Sequence, residues 1–337
     1  MLFELPSFEH INVRDIEEAA FWLQKYGKKA RVVAGGTDLL SLIKDRIEGP
    51  ELKLPDLLIN IKTIHDLNRI TYDQESGLRI GAVVTLNRLT TSDVIEQKYN
   101  ILSQAVRQVG TTQIRNMGTI GGNLCQRPRC VYFRHPHFIC FKKGGNKCYA
   151  VMGEHRYYHS IFQNGKCVMA HPSDIGPALM VLQARAIIVS ANREREVCIE
   201  DFFLGPNNCT ETILKSDEFL KEIQIPAQKD MTQQLFLKER IRHSADFALS
   251  SVAIAAKISD GIFDDVRIVL GGIAPYPYKA PSAEGIVRGK RLTEELISKA
   301  AEASVEGAHP LPMNGYKVDL AKALVKRCLR SIGRVHD

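Results

Sequence analysis

Five of the eight cysteines (Cys125, Cys130, Cys140, Cys148 and Cys167) fall within 43 residues, and thiolates gathered at that density are soft ligands for zinc or iron. The same stretch carries eight Lys or Arg against the single acid Glu154. Outside it 37 basic residues meet 37 acidic ones, so the formal net charge of +7 resides in the cysteine segment. Two chemistries fit a basic, cysteine-rich insertion. It is a zinc-held nucleic-acid binder, or its positive charge offsets the negative charge that several thiolates bring to a metal cluster. His135, His137, His155 and His159 keep a mixed Cys/His zinc site open. Spacing alone does not choose four ligands from the five cysteines. Tyr132, Phe133, Phe138, Phe141, Tyr149, Tyr157 and Tyr158 supply either an apolar shell for a cluster or ordinary loop packing. Cys198, Cys209 and Cys328 stand apart and read as buried small hydrophobes.

A second kind of chemistry is written in glycine. Ala34-Gly-Gly-Thr-Asp-Leu39 follows the β-type run 30–33 and precedes a helical pattern over 39–47. A strand, glycine turn and helix in that order expose backbone N–H groups suited to a phosphate, although the same residues also make plain turns. The second element, Asn116-Met-Gly-Thr-Ile-Gly-Gly-Asn-Leu124, follows a helical pattern over 101–109 and the polar turn 110–113. Two such elements about 85 residues apart suit one pyrophosphate clasped from both sides. Neither is Gly-x-Gly-x-x-Gly, and no Gly-Lys-Ser or Gly-Lys-Thr occurs, which disfavours a nicotinamide-type βαβ site and a Walker loop.

The elements that must position these groups are mixed. An amphipathic helix is expected over 14–26, ended by Gly27, then a helix over 174–183, a strand over 184–189 and a loop over 201–206. Ile225-Pro226 marks a boundary. Beyond it strands near Leu235, over 251–258 and over 266–273, and helices over 293–303 and 318–332, predict an α+β unit with Leu320, Leu324 and Leu329 in its core.

Ala34-Gly-Gly-Thr-Asp-Leu39, Gly81-Ala82 in an apolar strand, Thr119-Ile-Gly-Gly-Asn-Leu124, His171-Pro-Ser-Asp174 and the segment Phe236 to Phe247 together resemble the flavin subunit of the xanthine dehydrogenase and carbon monoxide dehydrogenase family. The resemblance spans nearly the whole chain. It implies an α+β protein: a PCMH-type FAD-binding fold of two α/β subdomains (1–60 and 61–226) and a C-terminal α+β domain (227–337) faced by the isoalloxazine. It carries FAD contacts onto Val33, Ala34, Gly35, Gly36, Thr37, Asp38 and Leu39, onto Gly118, Thr119, Gly121, Gly122 and Asn123, and onto Asp174 and, more weakly, Lys238.

A smaller branch of that family, which includes the 4-hydroxybenzoyl-CoA reductase β subunit and certain bacterial aldehyde oxidase flavin subunits, has the cysteine-rich insertion, here about 125–167. The resemblance implies a 4Fe-4S cluster on Cys130, Cys140, Cys148 and Cys167, with Cys125 the leftover or a replacement. It also implies an electron-transfer role between a molybdenum-pterin large subunit, a small 2Fe-2S subunit and ferredoxin or another carrier. No Ser/His/Asp set or paired carboxylates appear in a motif context, so no catalytic residue is assigned and substrate chemistry is expected on another chain. A stand-alone flavoprotein and a zinc module without redox role are the alternatives.

With 337 residues, 45% hydrophobic and 25% charged, the chain has ample material for two or three domains. It lacks an export-signal pattern and a long apolar run, so a cytoplasmic protein with neither membrane nor nucleic-acid partner is expected. Thiols there serve metals or packing rather than disulfides.

Overall fold

Helix Ile16–Tyr26 begins where Asp15 accepts a hydrogen bond from the Glu18 amide at 2.8 Å and stops at Gly27, whose φ of 52° suits a residue without a Cβ. The helix buries Ala19, Ala20 and Leu23 on the first of three sheets. The structure, a computed structural model, describes residues 4–162, 165–228, 233–243 and 245–333. Ser244 of the Phe236 to Phe247 segment and residues 163–164 of the cysteine segment lie outside them.

That first sheet is parallel and contains β1 (Glu9–Asn12), β2 (Ala30–Val33) and β3 (Leu57–Asn60) in the order β1-β3-β2. Parallel neighbours require crossovers, and helix Leu39–Lys44 lies in the one leaving β2. The second sheet is antiparallel, with β4 (Ile70–Asp73), β5 (Gly77–Gly81), β6 (Arg185–Val189), β7 (Glu194–Cys198) and β8 (Phe219–Ile225) in the order β4-β5-β8-β6-β7. Between β5 and β6 the chain makes the long excursion that carries the second glycine element, the cysteine segment and helix Ile175–Val181. Helices Asn100–Arg107 and Ile175–Val181 return to cover this sheet, where Leu102, Val106 and Leu179 meet Leu78, Ile80 and Ile223. Phe219 and Val189 also join the core of the first sheet, locking the two units together.

The third sheet is antiparallel, with β9 (Gln233–Glu239), β10 (Ser250–Ser259), β11 (Ile262–Gly271) and β12 (Tyr278–Lys279) in the order β12-β11-β10-β9. Asp260 and Gly261 close the β10/β11 hairpin with positive φ at both positions (51° and 77°), the conformation a two-residue loop between twisted strands demands. Val252, Ile254 and Ala256 face helix Tyr316–Gly333, whereas Ala253 and Ala255 face the core of the second sheet. Burial on both faces explains why β10 is apolar at consecutive positions. No helix among the described residues is long and apolar enough to cross a membrane.

The α+β class expected from sequence is the class observed, with local differences. The polar turn 110–113 and the glycine element 116–124 are partly helical, overlapping two short helices, Thr112–Met117 and Ile120–Leu124, capped by Thr111 and Thr119. Helix Ile199–Phe202 takes in the first two residues of the loop expected over 201–206. β5 ends at Gly81, before Ala82. Leu324 and Leu329 are buried and Leu320 is half-buried. Cys198 is exposed, and the expectation of burial fails because it ends β7, an edge strand whose residues alternate between exposed and half-buried. Cys209 is half-buried and Cys328 buried.

Candidate functional site

The two glycine elements touch. A Cβ on Gly35 would overlap the carbonyl oxygen of Met117 and lie 2.9 Å from the Cα of Gly118, so only glycine allows this approach of backbone to backbone. Gly36 turns the chain with φ 71°. The second element is pinned from below: Leu86 N–H donates to Gly118, Ile120 N–H to Val84 and Gly121 N–H to Ala82, at 2.8 to 3.0 Å. The Thr119 hydroxyl accepts from the Gly122 amide at 3.1 Å. At Gly122 a Cβ would meet nothing within 4 Å except that hydroxyl, so the missing side chain leaves open space above the helical turn.

Two clefts open on either side of this contact. The larger, about 490 Å³, is lined by Val33, Ala34, Gly35, Gly36, Leu39 and Gly121. The smaller, about 260 Å³, is lined by Gly118, Asn123, Asp174 and Lys238, and reaches Phe247 of the C-terminal unit. Thr37, Asp38, Thr119 and Gly122 line both and form the waist between them. All fourteen residues anticipated at the cofactor therefore line one cleft or the other. Glycine backbone at the junction of two adjoining clefts fits a dinucleotide whose pyrophosphate crosses it.

At the far end of the smaller cleft Lys238 Nζ lies 2.6 Å from Asp174 Oδ2, and both side chains are buried. Burial pushes the Asp174 carboxyl above its usual range, against the pull of Lys238 and Arg240. Lys238 also donates to the Gln108 carbonyl at 3.0 Å, which fixes the pair between the second and third sheets. Asn123 accepts from Ser173 Oγ at 2.6 Å, tying the second glycine element to the residue before Asp174.

Sequence reasoning did not anticipate what Asp38 does. Its carboxylate accepts from the Arg127 amide at 2.8 Å and pairs with Arg129 and Arg134, each at 2.7 Å. Three residues of the basic segment thus converge on the first glycine element. Arg129 also stacks over Phe247 at 4.4 Å. A second buried carboxylate, Glu211, faces Arg127 at 2.8 Å and Lys142 at 3.3 Å at the wall of the larger cleft. No local signal marks Glu211, because its partners lie far away in sequence.

Glu218, in the same wall, gives a pH-dependent prediction. Burial alone would raise its carboxyl, but Arg195, the Lys215 amide and Arg193 outweigh burial and bring it down from an ordinary 4.5 to about 2. A depressed carboxylate stabilises the fold fully above about pH 4.5 and loses that contribution as pH falls toward 2. At about 1.4 kcal/mol per unit, the pairing contributes on the order of 3 kcal/mol. Glu218→Gln is expected to melt several degrees below the parent at pH 7, with the gap shrinking below pH 4. Thermal melts across pH 2.5–7 check this, and a gap that is constant with pH contradicts it.

Four of the five clustered cysteines come together. Cys130, Cys140 and Cys148 pack in one apolar cluster with Leu42, Ile47 and Phe133. The Cys148 thiol is hydrogen-bonded to that of Cys167, which holds Cys148 down to about 6 and pushes Cys167 up. Cys125 is elsewhere: it packs against the core of the second sheet and lines the larger cleft, where burial pushes its thiol up to about 12. Lys142 and Lys143 are fully buried beside the four. Burial lowers Lys143, and the groups that favour its charge are Cys140, Cys130 and Glu48. Its Nζ donates to the His135 carbonyl at 2.6 Å. Among the described residues no three His, Cys, Asp or Glu side chains converge closely enough to hold a single metal ion. Of the segment's aromatics, Tyr132, Phe138 and Tyr149 pack against one another.

The architecture has a counterpart among known proteins. Residues 6–228 match the FAD binding domain in molybdopterin dehydrogenase, and residues 236–332 match the CO dehydrogenase flavoprotein C-terminal domain. The chain belongs to the FAD-binding medium subunits of the molybdenum hydroxylase family, and is an oxidoreductase subunit. It is 31% identical to the aldehyde oxidoreductase FAD-binding subunit PaoB of Escherichia coli, over 94% of this chain and 96% of that one. It is 27% identical to the carbon monoxide dehydrogenase medium chain of Hydrogenophaga pseudoflava, over 97% of each. The solved carbon monoxide dehydrogenase from that organism, in the form lacking the Mo-pyranopterin moiety, superposes with a TM-score of 0.77 at 26% identity over 98% of both chains.

Proposed function

We propose that this chain is the electron-transfer subunit of a three-part molybdenum hydroxylase complex, relaying electrons between molybdenum-pterin and 2Fe-2S subunits and an external carrier such as ferredoxin. The units run over 1–60, 61–226 and 227–337. The observation that carries the reading is the contact of the two glycine elements at the waist of the paired clefts. Thr37, Asp38, Thr119 and Gly122 flank the FAD pyrophosphate, the larger cleft takes the adenosine, and the smaller takes the isoalloxazine beside Asp174 and Lys238. The buried pair holds that wall of the cleft rigid and excludes water from it.

Cys130, Cys140, Cys148 and Cys167 hold a 4Fe-4S cluster. The fit rests on the donor set and on charge. Four thiols gather beside two buried lysines; Lys142 is paired with Glu211, and thiolate ligands supply the negative charge that burial of Lys143 calls for. When bound, FAD and the cluster supply the redox chemistry, and the polypeptide sets their positions and potentials.

The test is flavin, iron, sulfide, zinc and molybdenum quantification on the natively purified complex. Stoichiometric FAD with about four irons per chain and a co-purifying molybdenum subunit is expected. FAD and iron without such a partner favours a stand-alone flavoprotein, and colourless protein with stoichiometric zinc overturns the proposal. Cys140→Ser is expected to lose cluster iron and keep most FAD, whereas Cys125→Ser keeps both. Full iron in Cys140→Ser rules out that ligand.

A further inference from the structure

His159 is buried in the interior of the cysteine segment, and its Nε2 lies 3.2 Å from Cys130 Sγ. The ring is held there by an unusual amount of structure. Residue 159 forms a β-bridge to Met169, two residues beyond Cys167. Its carbonyl accepts from Asn314 at 3.3 Å and from Lys317 at 2.9 Å, both at the start of the last helix region. Lys317 is fully buried, and its Nζ donates to three carbonyls, those of Tyr157, His159 and Gly272. The C-terminal unit therefore fixes the backbone from which the imidazole reaches Cys130.

The sulfur settles the proton. Nδ1 is buried without a hydrogen bond of good geometry, the His155 carbonyl being the backbone group that favours a proton on the ring. A neutral imidazole has one N–H, and leaving a buried donor unsatisfied costs the full desolvation of that group. A metal-bound thiolate can only accept. The proton belongs on Nε2, donated to Cys130 Sγ.

Resting on the cluster assignment above, we infer that His159 is a positioning residue that tunes the potential of the cluster through an N–H···S hydrogen bond to its ligand Cys130. Such a bond withdraws electron density from the sulfur and favours the reduced, more negative cluster, which raises the reduction potential. The bond also gives the C-terminal unit, through Lys317 and Asn314, a mechanical hold on the electron-transfer properties of a site in the second unit.

The test is a dithionite titration of the purified complex, followed by the EPR signal of the reduced cluster, with iron and FAD measured on the same samples. His159→Leu removes the donor and leaves all four cysteines. It is expected to keep its iron and FAD, to leave the flavin potential unmoved, and to lower the reduced-to-oxidised ratio of the cluster about tenfold at fixed potential, equivalent to about 59 mV for one electron. His159→Gln, which retains a donor, is expected to recover most of the parental potential. Equal potentials in parent and leucine variant, both iron-replete, overturn the His159 inference alone. Parental protein without iron overturns the cluster and this inference together. Should the leucine variant lose its iron, the glutamine variant decides: near-parental potential supports the bond, and a fall like that given above overturns it.

Discussion

Gly35→Ala is expected to yield protein nearly free of FAD, while Gly122→Ala yields a well-folded chain that binds FAD less tightly. The added methyl groups are identical, but their surroundings are not. At Gly35 the methyl overlaps the carbonyl of Met117 and crowds the Cα of Gly118, which are backbone atoms held by hydrogen bonds to residues 82–86. Neither side can yield cheaply, so the glycine elements must part, with an overpacking cost of about 1–3 kcal/mol. Parting them misplaces the donors on both sides of the waist, and each 1.4 kcal/mol lost is about a factor of ten in affinity. A fall in FAD affinity of about 100-fold is therefore expected, with a lower melting temperature. At Gly122 the methyl meets only Thr119 Oγ1, at 3.1 Å, and otherwise enters the cleft. The fold loses little there, and the expected loss is confined to the ligand, about tenfold. FAD per chain by absorbance and dissociation constants by flavin fluorescence distinguish the two. Full flavin occupancy in Gly35→Ala would show that the close approach of the glycine elements is irrelevant to binding.

What the sequence discloses about such a site depends on the range over which each contact acts. The first glycine element was legible because strand, turn and helix are consecutive there, and the β-branched run before Gly35 sets a local pattern. The helices within the expected turns 110–113 and 116–124 escape notice because five or six residues are too few to display a 3.6 period, and the caps at Thr111 and Thr119 leave weak traces. The clustering of Cys130, Cys140, Cys148 and Cys167 followed from the resemblance. The separation of Cys125 from them follows only in three dimensions, from the helix that turns its thiol toward the core of the second sheet. Least legible were the ion pairs. The basic charge of the cysteine segment was visible, but Arg129 and Arg134 spend theirs on Asp38, about 90 residues upstream, and Arg127 spends its charge on Glu211. Lys317 meets the carbonyl of His159 across 158 residues, and no periodicity records such a contact.

Asp38 shows how such long-range pairing joins the first glycine element to the cysteine segment. It was anticipated as a flavin contact and does line both clefts, but its carboxylate is already engaged by Arg127 N–H, Arg129 and Arg134. All three ion-pair partners are mostly buried, with side-chain exposures of 16 to 19%. Breaking a buried pair by removing one partner strands the other charge, at about 3–5 kcal/mol, and here two guanidinium groups are stranded by one substitution. Residual exposure and the bonds Arg134 keeps to the carbonyls of Pro128 and Arg127 reduce the figure, so Asp38→Asn is expected to cost about 2–4 kcal/mol. Arg134→Met strands less, because Asp38 keeps Arg129, and its cost is expected to be smaller. In the double-mutant cycle the two changes are expected to couple by about 1–2 kcal/mol, being members of one network. The consequence distinguishes a structural tie from a simple flavin contact. If Asp38 binds the cysteine segment to the first glycine element, Asp38→Asn exposes 127–150 to limited proteolysis and lowers the iron of the proposed cluster as well as FAD. If its role is confined to the flavin, FAD falls while protease resistance and iron stay at parental values, and Arg134→Met shows no coupling. The geometry favours the first outcome, because the carboxylate holds the cysteine segment through three donors whether or not a dinucleotide lies across the waist.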